Sequence, residues 1–248
     1  MKILVFGAGV LGCNLARNFF RAGKDVTLLA RGAWGESIPK NGLRIKDKFS
    51  PRMSVSRIPV TAELKAEDKY DVIFIVLRYT QFDAILDTLR TNPTKNIVFV
   101  GNDVRASALS ASLPEKNVMF AFASSAGHRE REYVASVDLK KLKDNTAYLS
   151  RLIDANIESY RAIKNAGHEI LPKDDAEFEG AAYRKTCLRF FKLMCATSLG
   201  KLCASDHAMN AIDEMSALNR DIKQFFDENG AAYPVWQALE AEAGRYLR

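Results

Sequence analysis

Residues 2–12, KILVFGAGVLG, decide the fold of this chain. The first five are strand formers in a short apolar run, which is typical of a buried parallel strand. Three glycines follow at once, and apolar residues then repeat at helical spacing until Gly23 ends the helix. A second apolar run, DVTLLA at residues 25–30, comes after it. Strand, glycine turn, helix and strand in this order predict a dinucleotide-binding unit.

Each glycine of this turn has a chemical reason. Gly7 permits the tight turn, Gly9 lets a pyrophosphate approach the backbone, and Gly12 lets helix and strand pack closely. The helix N-terminus offers free N–H groups and a partial positive charge to phosphates. The alternative is a glycine-rich turn without a ligand. We expect the cofactor to contact the six residues of the loop, which are Gly7, Ala8, Gly9, Val10, Leu11 and Gly12.

The end of the second predicted strand distinguishes NADP from NAD. NAD-binding proteins place an acidic residue there, which accepts a hydrogen bond from the ribose 2′-hydroxyl. This chain has Leu29, Ala30, Arg31 and Gly32. A guanidinium can bind a 2′-phosphate through a bidentate, charge-assisted pair. The sequence therefore predicts NADP, and an ordinary surface arginine is the alternative for Arg31.

Strands and helices alternate along the first half of the chain. Predicted strands cover residues 71–77, 96–100 and 118–122, with helices near 81–90 and 106–112 between them. The segment 34–59 is looser, with short strands at 43–45 and 53–58. This alternation predicts a parallel sheet with right-handed connections.

Helical patterns alone fill the second half. They cover residues 144–166, 175–204 and 205–229, and a short helix follows Pro234. We therefore predict an α/β chain with an N-terminal Rossmann-like parallel sheet in residues 1–143 and a C-terminal all-helical domain in residues 144–248.

Composition excludes several classes of protein. The 248 residues are 48% hydrophobic and 27% charged, as in a soluble globular protein, and no run of 18 apolar residues predicts a membrane span. The net charge is +6, but lysines and arginines are scattered among acids, which favours an anionic small molecule over nucleic acid. Four cysteines and three histidines show no metal-ligand spacing, so we expect buried thiols, no metal and a cytoplasmic location.

Several stretches together resemble one known family. They are KILVFGAGVLG, VTLLARG, DVIFIVLRYTQ and NIVFVGNDV in the first half and, more faintly, NAGHEILP, AYRK and HAMNAIDEMSALNRDIKQFF in the second. The family that they resemble is ketopantoate reductase (2-dehydropantoate 2-reductase), which reduces a 2-keto acid with NADPH. The resemblance implies NADP as cofactor, a small anionic 2-keto acid as substrate and a role in pantothenate biosynthesis. Family members with similar helical tails often pair through them, so a homodimer is expected too.

The resemblance also implies roles for residues that depart from the family pattern. Arg78 stands where the family usually has a lysine near the cofactor, which keeps the charge but changes the geometry. The family's Gln-Asn-Gly appears here as Gly101-Asn102-Asp103. Asn102 is then expected near both nicotinamide and substrate, and residues 124–127 replace a small turn lining the same cleft.

Two registers are open for the family's catalytic lysine, which gives a proton to the keto oxygen. In the first register the lysine is Lys185, with an aromatic residue two positions before it. In the second, residues 144–172 and 207–215 match later helices, and the lysine segment is missing between Lys143 and Asp144. Glu214 is the candidate for the helical domain's glutamate, with a surface acid as its alternative.

The function expected from the resemblance is NADPH-dependent reduction of 2-dehydropantoate to pantoate. One alternative is a related dehydrogenase that acts on another hydroxy or keto acid, since one fold supports many chemistries. The other is a non-catalytic NADP(H)-binding sensor or scaffold. The arginine at position 78 and the open register of Lys185 favour that second alternative.

Overall fold

A computed structural model describes residues 1–47, 53–122, 142–197, 200 and 211–244. The chain divides into two compact units, Met1–Arg129 and Glu130–Arg248. Because the division falls between the described ranges, the domain boundary at residue 143 stays a prediction.

The first unit is built on a parallel sheet. Its strands and an adjoining hairpin are β1 (Lys2–Phe6), β2 (Asp25–Leu29), β3 (Leu43–Lys46), β4 (Met53–Ser56), β5 (Val60–Thr61), β6 (Val72–Ile75), β7 (Asn96–Val100) and β8 (Asn117–Ala121). Six of them form one sheet in the order β5-β2-β1-β6-β7-β8, and every neighbouring pair in it is parallel. The other two strands, β3 and β4, pair antiparallel in a separate hairpin. The predicted Rossmann-like sheet is confirmed.

Helices connect these strands. They are α1 (Val10–Arg21), α2 (Gly32–Asn41), α3 (Leu86–Thr91) and α4 (Ala106–Ser112), with 3₁₀ turns at Tyr79–Gln81 and Asp83–Ile85. Helix α1 ends as predicted just before Gly23, whose φ of 68° lies in the left-handed region. Its apolar face packs on the central strands, where Ile3 and Leu28 are fully buried. The apolar runs in the sequence therefore form a core covered on both faces of the sheet.

The second unit is helical throughout its described residues. Its helices are α5 (Thr146–Asn165), α6 (Ala181–Ala196), α7 (Ile212–Glu228) and α8 (Pro234–Ala243), with a 3₁₀ turn at Lys173–Glu177. Glu158 of α5 is buried, and its two carboxylate oxygens accept the backbone N–H groups of Val235 and Trp236, each at 2.9 Å. This carboxylate satisfies the free N–H groups at the start of α8. No helix in the described ranges has the length and apolar character of a membrane span.

Three local features differ from what the sequence predicted. The expected helix over 81–90 begins as two 3₁₀ turns and becomes α-helical only at Leu86, consistent with the poor helix formers Thr80 and Asp83 in those turns. Helix α2 lies in the segment expected to be loose, where burial of Ile38 in the core outweighs the proline in its last turn. The two-residue strand β5 was missed because so short an element depends wholly on its pairing with β2.

Candidate dinucleotide site

The strand register brings the predicted cofactor residues to one edge of the sheet. Phe6 lies opposite Leu29 on β2 and opposite Ile75 on β6, and Ile75 lies opposite Phe99 on β7. The glycine loop therefore leaves β1 at the level where the neighbouring strands end. Arg31 follows β2 on one side of the loop, while Arg78 and Asn102 follow β6 and β7 on the other. Ligands of such sheets bind at this edge, where the strand order reverses.

The three glycines of the loop serve different purposes. Gly7 has a φ of 121°, and a Cβ there would lie 2.3 Å from the Val76 carbonyl oxygen. A Cβ on Gly12 would lie 1.9 Å from the carbonyl oxygen of Gly7. The fold itself therefore requires these two glycines. A Cβ on Gly9 would meet nothing within 4 Å, so the protein's own packing does not require a glycine there.

The open space at Gly9 fits a pyrophosphate. Gly9 is the N-cap of α1, and no side chain caps that end of the helix or places an acid in its first turn. The first N–H groups of α1 are thus available to an anion, and the bare backbone at Gly9 allows a close approach. The residues present fit the phosphates of a dinucleotide.

Arg31 extends the site on the β2 side. Its side chain is exposed, its Nε donates to the carbonyl oxygen of Ala62 at 3.2 Å, and its guanidinium carbon lies 6.0 Å from the ring centre of Phe6. Within the described part of the chain, the two terminal nitrogens of this guanidinium make no hydrogen bond. They are the atoms that a 2′-phosphate would engage.

A second uncapped helix begins beside Arg31, which sequence reasoning missed. Arg31 is the N-cap residue of α2, in extended conformation, with no side-chain cap and no acid in the first turn. Its N-terminal N–H groups therefore add to the positive potential next to the guanidinium. Gly35 and Pro39 concealed this helix in the sequence, and no capping residue marked its start.

Arg78 and Asn102 lie at corresponding positions after β6 and β7, and both are exposed. The backbone N–H of Arg78 donates to Oε1 of Gln81 at 3.1 Å, which begins the 3₁₀ turn. Gly101, with a φ of 154°, turns the chain into Asn102, and its N–H donates to the Ala121 carbonyl at 3.0 Å. Adjacent parallel strands are about 4.8 Å apart, so a cation and an amide share this end of the site.

Lys185 belongs to the second unit. It is exposed on α6, whose opposite face packs Tyr183, Cys187 and Leu188 against α5. The Tyr183 hydroxyl accepts a hydrogen bond from Nδ2 of Asn156 at 2.8 Å, and burial raises the pKa of that hydroxyl far above its usual value. An ion pair between Arg184 of α6 and Asp154 of α5 holds α6 in the same orientation about its axis, with Lys185 exposed.

Glu214 is buried in the first turn of α7, where an acid is favoured by the helix dipole. The catalytic roles of Glu214 and Lys185 stay predictions. Residues 124–127, with His128, His207 and Cys203, lie outside the described residues. Cys13 and Cys195 are buried free thiols, as expected, and Cys187 is partly buried.

Comparisons with known proteins identify one family and one relative that match part of the chain. The family described as ketopantoate reductase PanE/ApbA matches residues 3–141. The 2-dehydropantoate 2-reductase of Mesorhizobium japonicum is 37% identical over 92 residues, which is 36% of this chain and 27% of that protein. The matched part thus spans about a quarter of the relative's length.

Two solved structures share the fold across almost their whole length. D-mandelate dehydrogenase with NADH and anilino(oxo)acetate has a TM-score of 0.62 at 16% identity, over 100% of this chain and 98% of that one. The 2-dehydropantoate 2-reductase from Methylococcus capsulatus gives the same four values. Since the family match covers more than half of the residues, including the whole glycine loop, the chain belongs to the ketopantoate reductase PanE/ApbA family.

Proposed function

We propose that this protein is an NADPH-dependent reductase of a small 2-keto acid, and that 2-dehydropantoate is reduced to pantoate. One observation carries the proposal: the sheet register places Arg31 on one side of the open glycine loop and Arg78 with Asn102 on the other. A dinucleotide laid across the loop then has its phosphorylated ribose at Arg31 and its nicotinamide at Asn102.

The β2 side supports NADP over NAD. A guanidinium and an uncapped helix N-terminus converge there. Arg31 is the N-cap residue of α2, and its neighbours Ala30 and Gly32 offer no carboxylate to accept a bond from a ribose hydroxyl. This end of the site therefore favours a dianionic phosphate.

The β6 and β7 side supports an anionic substrate with a carbonyl group. The Arg78 guanidinium can hold a carboxylate, and the Asn102 amide can donate a hydrogen bond to a keto oxygen. The chemistry that a bound NADPH supplies is hydride transfer to the keto carbon. Lys185 is proposed to donate the proton that converts the keto oxygen to a hydroxyl.

The test is NADPH oxidation on addition of 2-dehydropantoate. Pyruvate and phenylglyoxylate serve as alternative 2-keto acids, and NADH serves as the alternative cofactor. We expect the highest kcat/KM with NADPH and 2-dehydropantoate. Faster turnover of phenylglyoxylate would favour a mandelate-type dehydrogenase, because oxidation of the mandelate hydroxyl yields that keto acid. NADPH binding without turnover of any keto acid would favour the sensor or scaffold.

Assembly is tested separately, on the purified protein. We propose that two copies pair through their helical units, which light scattering on the purified protein would detect as a doubled mass. A monomer that is fully active would contradict that pairing.

A further inference from the structure

A charged and aromatic cluster lies next to the nicotinamide end of the site. It consists of Arg105, Asp83 and Tyr79. The guanidinium carbon of Arg105 lies 4.6 Å from the centre of the Tyr79 ring, and its Nη1 donates to Oδ2 of Asp83 at 3.0 Å. Arginine therefore contacts a ring face and a carboxylate at once, which a planar guanidinium can do and an ammonium cannot do equally well.

This cluster joins the two segments that carry the site residues. Tyr79 directly follows Arg78 after β6, while Arg105 lies three positions after Asn102 on the loop that follows β7. The Arg105 side chain thus connects the loop of residues 101–105, here called the Asn102 loop, to residues 78–83, here called the Arg78 segment. The two segments are far apart in the chain, because 26 positions separate Tyr79 from Arg105, so the contact is a tertiary one.

The segment that Arg105 contacts is anchored by buried aromatic side chains. Tyr79 is 2% exposed and Phe82 is fully buried. Phe82 contacts the ring of Tyr79 and also the ring of Phe99 on β7, with the second pair of centroids 4.9 Å apart. A guanidinium that packs against these buried rings has fewer positions open to it, because close-packed interiors resist displacement.

The Asn102 loop is tied to β8 at its start and is closed by a local turn near its end. At its start the Gly101 N–H donates to the Ala121 carbonyl at 3.0 Å, and near its end the Arg105 N–H donates to Oδ1 of Asp103 at 2.7 Å. The Arg105 side chain links this loop to the Arg78 segment by donating a hydrogen bond to Asp83.

We infer that Arg105 is a positioning residue that holds Asn102 in place through the loop it anchors. The inference rests on the proposed function, because it assigns Arg105 to the reaction through Asn102. Misplacement of a reacting group by about 1 Å can cost about 100-fold in rate. Loss of the Arg105 side chain should therefore lower kcat by roughly 10- to 100-fold.

Cofactor affinity should respond much less. The glycine loop and Arg31 follow β1 and β2, whereas Arg105 contacts Tyr79 and Asp83 in the segment that follows β6. We expect R105A to change the NADPH Kd by less than about 3-fold, since most of the binding contacts of a dinucleotide are to its phosphates and adenosine ribose.

The test compares R105A and R105K with R90A. Arg90 is a matched control, because it also pairs with an aspartate, Asp87, and also links two elements by donating to the Ser112 carbonyl. It lies near the ends of α3 and α4, which lead into the opposite edge of the sheet. Four quantities are measured for each variant: kcat, KM, the NADPH Kd by fluorescence, and hydrogen exchange of the backbone amides of residues 101–105 with NADPH bound.

We expect R105A to lose kcat with little change in NADPH Kd, R105K to recover part of the loss, and R90A to match the parent protein. Exchange at residues 101–105 should accelerate in R105A alone. Unchanged kcat and exchange in R105A, or an equal loss in R90A, would overturn the inference. If the parent protein reduces no keto acid, the proposed function fails, and the exchange measurement still decides whether Arg105 orders the loop.

Discussion

Substitution of Gly12 and Gly9 by alanine should have opposite consequences. In Gly12→Ala the new Cβ lies 1.9 Å from the carbonyl oxygen of Gly7, about 1.5 Å inside ordinary contact. The obstacle is backbone, so no side-chain rotation relieves the clash. Overpacking of this kind costs about 1–3 kcal/mol or more. We expect Tm to fall by roughly 3–10 °C.

Gly9→Ala should leave the fold nearly intact. Its Cβ meets nothing within 4 Å, and the φ of −71° and ψ of −178° suit alanine. Loss of a glycine N-cap costs about 0.5 kcal/mol. The methyl group does occupy the space through which a pyrophosphate would approach. We expect the NADPH Kd to rise at least about 10-fold, which corresponds to about 1.4 kcal/mol.

The assay is thermal unfolding without ligand, followed by fluorescence titration with NADPH. Gly23→Ala is the control, because Gly23 lies at the other end of α1 with a φ of 68° and open space around it. Its substitution should cost about 1 kcal/mol of stability and leave the NADPH Kd unchanged. If Gly9→Ala binds NADPH as tightly as the parent protein, the open space at Gly9 is not the pyrophosphate site.

Three further substitutions probe the remaining assignments. Arg31→Ala should weaken NADPH binding by roughly 10- to 100-fold and NADH binding hardly at all, because only the 2′-phosphate loses charged hydrogen bonds. Fluorescence titrations that show an equal loss of affinity for NADPH and for NADH would refute this prediction. Lys185→Ala should lower kcat about 100-fold or more at unchanged NADPH Kd, while exposed Lys164→Ala should not; unchanged kcat would favour the second register. The hydrogen bond from Lys223 lowers the pKa of Glu240 below its usual 4.5. The stabilisation that the Lys223–Glu240 pair provides is therefore fully present above a pH of 4.5 and is lost as the pH falls through the lower pKa of Glu240 in the folded protein. Glu240→Gln should reduce the free energy of unfolding at neutral pH by about 0.5–1 kcal/mol, given partial exposure of both side chains, and flatten its acid dependence; urea titrations at several pH values would show a parallel acid dependence if the pairing did not matter.

The nucleotide half of the site was predictable because its signals are local. Strand β1, the three glycines, α1 and β2 follow one another within 28 residues, and each element is specified by residues a few positions apart. The short apolar runs of β6 and β7 were equally clear. Parallel pairing then placed Arg31, Arg78 and Asn102 at one edge of the sheet, as the order of strands and helices predicts.

Other features depended on contacts between distant segments. Arg17 is a charged residue of α1, and the sequence alone gives no reason to bury it. In the structure it is 6% exposed, and its Nη1 lies 2.7 Å from Oδ1 of Asp47, beside the β3–β4 hairpin. Strand β5 exists through its pairing with β2, and helix α2 through the burial of Ile38.

The sequence by itself determined the dinucleotide fold, the glycine loop and the basic residue after β2. Only the tertiary structure showed that Gly9 faces open space while Gly12 is closely packed, and that Arg105 lies over Tyr79 against Asp83. The reason is physical. Backbone preferences and hydrophobic spacing act within a few residues, whereas burial and side-chain contacts arise when segments far apart in the chain pack together.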